Sequence, residues 1–214
     1  MTADFARPSP REFEPSNPLS SFVDVVRRVV LHPVDFFSGI PRQEGLRNSF
    51  LFALICIVIG AVLNAAVGLI GAQPNVQSYQ GLLQPLGVNV QVAAGFVASI
   101  VMYVVIGLIS LFVGAGIYQL LVRLVVGREN AGFSGTFRVM AYTAVVNLVS
   151  WIPILGLLAG LYAFFLQVVG FREVHETSTG RAILVPLLLF GISIVIGALV
   201  AIVVVVILAF YPSV

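Results

Sequence analysis

The sequence predicts an all-α, polytopic membrane protein, a bundle of five transmembrane helices preceded by an N-terminal cytoplasmic amphipathic helix. Three observations predict it. Apolar residues make up 59% of the 214 and charged residues only 9%. A soluble domain carries about a quarter charged residues, so most of this surface has to face lipid; the mean hydropathy of +1.08 agrees. Finally, the basic residues are all arginine and cluster between long charge-free stretches, which Pro, Gly and Asn interrupt.

Residues 1–19 contain Pro8, Pro10, Pro15 and Pro18 among mixed charges, without the apolar run of a signal peptide. They read as a disordered cytoplasmic tail. Residues 20–47 read as a juxtamembrane helical segment. Ser20 or Ser21 can cap a helix, and Phe22, Val25, Val26, Val29 and Val30 fall on one face, with Asp24, Arg27 and Arg28 mostly on the other. Such a helix lies on the cytoplasmic leaflet or packs against the other helices. His32-Pro33 stops it, and a short segment from Pro33 to Ile40 leads on.

Residues 48–212 hold the five-helix domain. A bilayer core of about 30 Å needs about 20 apolar residues. Between Arg47 and Arg123 there is no Asp, Glu, Lys, Arg or His, but Gly71, Pro74, Asn75, Gly81, Pro85, Gly87 and Asn89 break the run. This gives a helix over 49–71, an uncharged loop over 72–90 and a helix over 91–123. The stretch 139–171 carries Trp151-Ile152-Pro153-Ile154-Leu155-Gly156 at its centre, where Pro breaks the ladder and Gly permits a turn. Helices over 135–152 and 154–171 follow, joined by a tight hairpin; one long kinked helix and a shallow re-entrant hairpin are the alternatives. The last helix covers 182–211, with Pro186 tolerable in its first turns.

Arginine placement sets the orientation. Arg7 and Arg11 lie in the tail, Arg27, Arg28, Arg42 and Arg47 precede the first span, and Arg123, Arg128 and Arg138 lie between the second and third. Arg172 and Arg181 lie between the fourth and fifth. The positive-inside rule then puts the N-terminus in the cytoplasm and the C-terminus outside, a parity that five spans satisfy. The expected location is the bacterial inner membrane. Scattered arginines make no nucleic-acid surface, and Cys56, alone in an apolar run, excludes a disulfide framework.

No carboxylate, Arg or His falls at mid-span in the five predicted helices, which argues against proton relays and ion coupling. One amide falls in each of the first four: Asn64, Gln119, Asn147 and Gln167. They are candidates for interhelical hydrogen bonding or for a polar path. Gly156 and Gly160 form a GxxxG pattern that serves packing within one chain or with a second copy. His175-Glu176 is the nearest approach to a metalloprotease signature, but position 179 is Thr179, not His. Glu173, His175 and Glu176 are instead expected to orient a loop at the headgroups. Arg27, Arg28, Arg138, Arg172, His175 and Arg181 are the candidate contacts to lipid headgroups or a cytoplasmic partner. No P-loop, nucleophile elbow or dinucleotide fingerprint occurs, so neither an enzyme nor a cofactor is expected.

Three stretches carry a family resemblance. His32-Pro33-Val34-Asp35-Phe36-Phe37 resembles the segment preceding the first helix in bacterial Yip1-family membrane proteins. Thr136-Phe137-Arg138-Val139-Met140-Ala141-Tyr142 resembles the entry to the third helix. Ile152-Pro153-Ile154-Leu155-Gly156, with Gly170-Phe171-Arg172-Glu173-Val174-His175 and Arg181-Ala182, resembles the hairpin and the following loop. The resemblance implies a five-helix bundle with a cytoplasmic N-terminus. Eukaryotic members are linked to Rab-type GTPases, vesicle trafficking and membrane shaping, but they carry an Asp-Leu-Tyr-Gly-Pro motif that residues 1–30 lack. GTPase binding is therefore not carried over. Two functions remain: a non-enzymatic scaffold that organises lipid or partner proteins, or a small transporter or channel for an uncharged or lipid-like solute.

Overall fold

The computed structural model describes residues 12–40, 45–69 and 92–210. The expected loop over 72–90, Arg7, Arg11, Arg42 and the C-terminal residues 211–214 lie outside the described residues. Seven α-helices are described: α1 (Pro18–Leu31), α2 (Pro33–Ser38), α3 (Arg47–Leu69), α4 (Val92–Val125), α5 (Gly132–Thr143), α6 (Pro153–Val174) and α7 (Thr179–Phe210). A 3-10 helix, Ala144–Leu148, continues α5. Among the described residues four helices, α3, α4, α6 and α7, are long and apolar enough to cross a membrane.

The predicted helix over 135–152 is only partly α-helical. Its α part has 12 residues, and the local chemistry explains why it stops. Thr143 Oγ1 donates to the Val139 carbonyl at 2.7 Å, Asn147 Nδ2 to the Ala144 carbonyl at 2.9 Å, and Trp151 Nε1 to the Leu148 carbonyl at 2.8 Å. Polar side chains that capture nearby carbonyls compete with the helical ladder. Tightening to 3-10 geometry with β-branched Val145 and Val146 in the turn is the result. Pro153 then starts α6 at the position where a missing N–H costs nothing. Gly156 is required by the hairpin: a Cβ there would meet the Ser150 carbonyl oxygen at 2.7 Å.

α5 is the central element, with Thr136, Phe137, Arg138, Val139, Ala141 and Tyr142 all buried. α3 packs on it through a stripe at helical spacing: Ser49, Phe52, Ala53, Cys56, Ile57, Ala61 and Ala65. Register is set where glycines admit a neighbour. A Cβ on Gly107 of α4 would meet Ile57 of α3 at 2.9 Å, and one on Gly60 would meet the Asn147 carbonyl oxygen at 2.8 Å. A Cβ on Gly135 of α5 would meet Val174 at 2.8 Å, and one on Gly170 of α6 would meet Val139 at 2.6 Å. α5 and α6 are therefore antiparallel and in register, and the arginine-bearing ends of α3, α4, α5 and α6 gather at one end of the bundle.

The N-terminal segment departs from expectation. A disordered tail over 1–19 does not hold for its last residues, because Glu12 and Phe13 are buried and α1 begins at Pro18. The Phe13 ring packs against Phe52, and its N–H reaches the Tyr142 hydroxyl at 3.5 Å. α1 packs against the bundle through Phe22, Val25, Val26 and Val29, while Val30, expected on the same face, is exposed. His32, its φ of −135° set by the following Pro33, separates α1 from α2. Phe36 and Phe37 of α2 are buried, with Phe36 stacked edge-on to Tyr142.

Candidate functional site

The polar side chains of the bundle fall into three groups, and the first lies at the arginine-bearing end. Ala131 N–H donates to His175 Nδ1 at 3.2 Å, so Nδ1 accepts and the ring proton sits on Nε2, which faces Thr136 Oγ1 at 3.2 Å. The Thr136 hydroxyl donates to Gln119 Oε1 at 2.5 Å, Gln119 Nε2 donates to Asn130 Oδ1 at 3.0 Å, and Gly132 N–H donates to that oxygen at 2.8 Å. The chain of bonds closes on itself through residues 130–132. It ties α4, the 126–131 connection, α5 and the end of α6 together. Glu176, at φ 47°, supplies the left-handed residue that ends α6, and Thr177 N–H returns to the Arg172 carbonyl at 3.0 Å.

The second group is the ion pair of Arg138 with Glu12, Nε to Oε1 at 3.3 Å; both side chains are almost wholly buried. An Arg138 Nη2 also donates to the Gly45 carbonyl at 3.4 Å. Arg138 was expected to face headgroups or a partner; it is instead 0% exposed, because the N-terminal segment folds over it. His175, expected in the same role, is also buried and has both ring nitrogens engaged within the protein. Arg27 and Arg181 are exposed, and Arg28 and Arg172 half-buried. Arg28 pairs with Asp24 at 2.9 Å and Arg172 with Glu173.

The third group is made of amides within the spans. Tyr103 donates to Asn147 Oδ1 at 3.1 Å and Tyr118 to Gln167 Oε1 at 2.9 Å. Both tyrosines stand on α4, so α4 is hydrogen-bonded to the 3-10 helix and to α6 at two depths. Asn64 is half-buried on α3. A cavity of about 330 Å³ lies between these helices, lined by Tyr103, Ser110, Met140, Thr143, Asn147 and Gln167 among apolar residues. Gly160 takes no part in packing within the chain: it is exposed, and nothing stands within 4 Å of where its Cβ would be.

The sequence reading thus named Gln119, Asn147, Gln167, Arg138 and His175 but missed their partners. Thr136, Tyr103 and Tyr118 look like ordinary helix residues until the register is known. Glu12 was hidden because a Pro-rich, mixed-charge segment gives no sign of packing. Its one sequence signal is Phe13 beside it, an aromatic out of place in a solvated tail.

A bundle of membrane-length apolar helices whose interior polar side chains are mostly bonded within the protein, Ser134 Oγ being a buried exception, is that of a helical integral membrane protein. The family model that matches the chain is the Yip1 domain, over residues 27–211, and the protein belongs to that family. Searches of curated proteins and of solved structures gave no match.

Proposed function

We propose that the protein is a non-enzymatic, five-crossing scaffold of the bacterial inner membrane, with its N-terminus cytoplasmic and C-terminus outside, that organises lipid or partner proteins at its arginine-bearing end. The observation that carries this reading is the contrast at that end. Gln119, Thr136, His175, Tyr118 and Gln167 are hydrogen-bonded within the bundle, whereas Arg27 and Arg181 are exposed. Internal bonding holds a shape, and exposed guanidinium groups present it to anionic partners.

The fifth crossing is supported by α5 with its 3-10 extension. Twelve α-helical residues and five 3-10 residues rise about 28 Å together, close to the apolar thickness of about 30 Å. The segment runs antiparallel to α6 from Val174 back to the turn at Ser150. Single cysteines introduced in a Cys56→Ala background test this: labelling beside Trp151 from outside is the expected result, and labelling from inside refutes it. Proximity crosslinking in the native host tests the scaffold. A reproducible partner set that disappears when Arg27 and Arg181 become Glu is expected. No partner, together with unchanged membrane morphology in a deletion strain, refutes it.

The cavity between Tyr103, Asn147 and Gln167 favours a second reading, a conduit for an uncharged or lipid-like solute. Changing Asn147 and Gln167 to Leu separates the two. Flux lost with the fold intact supports transport, and stability lost without a flux phenotype removes it.

A further inference from the structure

The α1–α2 hairpin reaches further into the bundle than an interfacial helix would. Tyr162 Oη donates to the carbonyl of Val30, the next-to-last residue of α1, at 2.6 Å. Tyr162 is in the middle of the 22 residues of α6, about 15 Å along the helix from Arg172. α1 also touches the 3-10 helix, which lies far from the arginine-bearing end, and on the return a Cβ on Gly170 would meet Phe37 of α2 at 3.3 Å. The hairpin therefore descends from the ring contact of Phe22 with Phe52 of α3, turns at His32-Pro33 near the mid-depth of α6, and climbs back along α6. Its outer face carries exposed Leu19, Val23, Leu31 and Val34, with exposed Arg27 one turn from both Val23 and Leu31; such a face meets acyl chains while the long guanidinium side chain extends towards the headgroups.

Ionisable groups sit at this turn. A cavity of about 450 Å³ is lined by Arg28, His32, Asp35, Phe36 and Ser38. Beside it, a mainly apolar one of about 420 Å³ is lined by Val30, Leu31, Pro33, Val34, Tyr162 and Phe165 and shares His32 and Asp35. The predicted spans carry no ionisable residue in their middles, whereas the hairpin sets His32 and Asp35 beside Tyr162 and Phe165, near the middle of α6. A carboxylate exposed at that depth needs a polar neighbour.

We propose that the α1–α2 hairpin is a phospholipid site that draws an amine-bearing headgroup below the leaflet surface. Asp35 accepts from the headgroup ammonium, Arg28 and His32 face the phosphodiester, and an acyl chain lies along Tyr162 and Phe165. A zwitterion fits this mixed lining better than an anion, because Asp24 and Asp35 both stand near Arg28. The site goes beyond the scaffold reading and stands whether or not a protein partner is found.

Native mass spectrometry of the full chain tests it, with phosphatidylethanolamine, phosphatidylcholine, phosphatidylglycerol and diacylglycerol of identical acyl chains. The expected result is retention of phosphatidylethanolamine about tenfold above diacylglycerol and above phosphatidylcholine, whose methylated amine cannot donate to Asp35. Asp35→Asn, with helical content and melting midpoint unchanged, abolishes the preference over phosphatidylcholine. Equal retention of all four lipids, or a preference that survives Asp35→Asn, overturns the proposal. A second measurement does not depend on that variant folding. Ser38→Cys in a Cys56→Ala background is labelled with a water-soluble maleimide in nanodiscs of each lipid. Slower labelling by about fivefold or more in phosphatidylethanolamine is expected from occupancy of the cavity. Rates independent of headgroup indicate a merely hydrated dent and overturn the site. Displacement of the lipid by an equal concentration of soluble phosphoethanolamine also overturns it, since the acyl groove would then contribute nothing.

Discussion

Ser110 of α4 divides two kinds of structure. On the arginine-bearing side, α4 buries Leu111, Ala115, Tyr118, Gln119 and Val122 in a stripe against α5 and α6. Aromatic rings meet there, Phe112 with Phe137 at 5.0 Å and Tyr118 with Phe171 at 5.2 Å, and buried Gln119, Thr136 and His175 are bonded to one another. On the other side, Val97, Val101, Val105, Ile106 and Ile109 are all exposed. α7 repeats the division: Ala182, Val185 and Pro186 are buried, and none of the side chains from Leu187 to Val204 is. One half has the interior of a water-soluble protein, and the other presents the exposed apolar surface of a membrane-length helix pair. The hydrophobic effect cannot drive helices together where the solvent is as apolar as the side chains, so close packing and hydrogen bonds decide the fold. Close approaches occur in both halves, at Gly60 and Gly107 in one and at Gly135 and Gly170 in the other, but the chain of bonds through Gln119, Thr136 and His175 and the Arg138–Glu12 pair lie in the arginine-bearing half.

The sharpest way to break this asymmetry is to remove one charge from its core. Arg138→Met leaves Glu12 buried without its guanidinium, and a loss of about 3–5 kcal/mol in unfolding free energy is expected, measured by denaturant titration in micelles. The double variant Arg138→Met with Glu12→Leu should recover most of that loss. A single variant as stable as the wild type would show that the N-terminal segment does not pack here. Close approach comes next. Gly170→Ala puts a Cβ against the γ-carbon of Val139, a stiff β-branched side chain that cannot swing aside. A cost of about 1–3 kcal/mol is expected. Gly160→Ala, where the space is open, should be neutral or stabilise by up to about 1 kcal/mol. If both glycines behave alike, register is not set by α5 and α6.

How far this division was legible in the sequence depends on the force involved. Charge-free length is a one-dimensional property, so α3, α4, α6 and α7 could be placed to within a few residues, and Pro153 with Gly156 marked the hairpin. The closing of α5 into a 3-10 turn depended on Thr143, Asn147 and Trp151 reaching carbonyls of their own segment, which competes closely with the α ladder and has no spacing rule. The site residues show the same limit. Gln119 and His175 stood out as polar residues in apolar surroundings, but their ring with Thr136 and Asn130 joins four elements and exists only once register is fixed. The α1–α2 hairpin was least legible. Its sequence is short and charged, which reads as interfacial, and nothing local records that Tyr162 holds its turn.

Within the arginine-bearing half, the ring should matter more than the amides deeper in the bundle. Thr136→Val leaves Gln119 Oε1 and His175 Nε2 buried without their shared partner, and a loss of about 1–3 kcal/mol follows from two desolvated groups. Asn147→Leu removes one bond from Tyr103 in a span, for which about 0.6 kcal/mol and at most about 1.7 is expected. Hydrogen exchange of the Ala131 and Gly132 amides gives an independent reading. Both should lose protection in Thr136→Val and keep it in Asn147→Leu. The reverse ranking would move the structural centre of gravity towards the cavity and strengthen the conduit reading.

The smallest effect should be found on α7, and its smallness is the point. Ser193 Oγ donates to the Leu189 carbonyl at 2.8 Å, within its own helix, and the side chain is exposed. Ser193→Ala removes a bond that links no two elements, and the carbonyl keeps its helical partner. A change within about 0.5 kcal/mol is expected, in the same micelle titration that resolves Arg138→Met. Ser193→Ala costing as much as Thr136→Val would mean that the exposed half of α7 has a protein neighbour rather than lipid. The contrast between the two halves would then describe one protomer of a larger assembly, with the lipid-facing surface of α7 reassigned to an interface with a second copy.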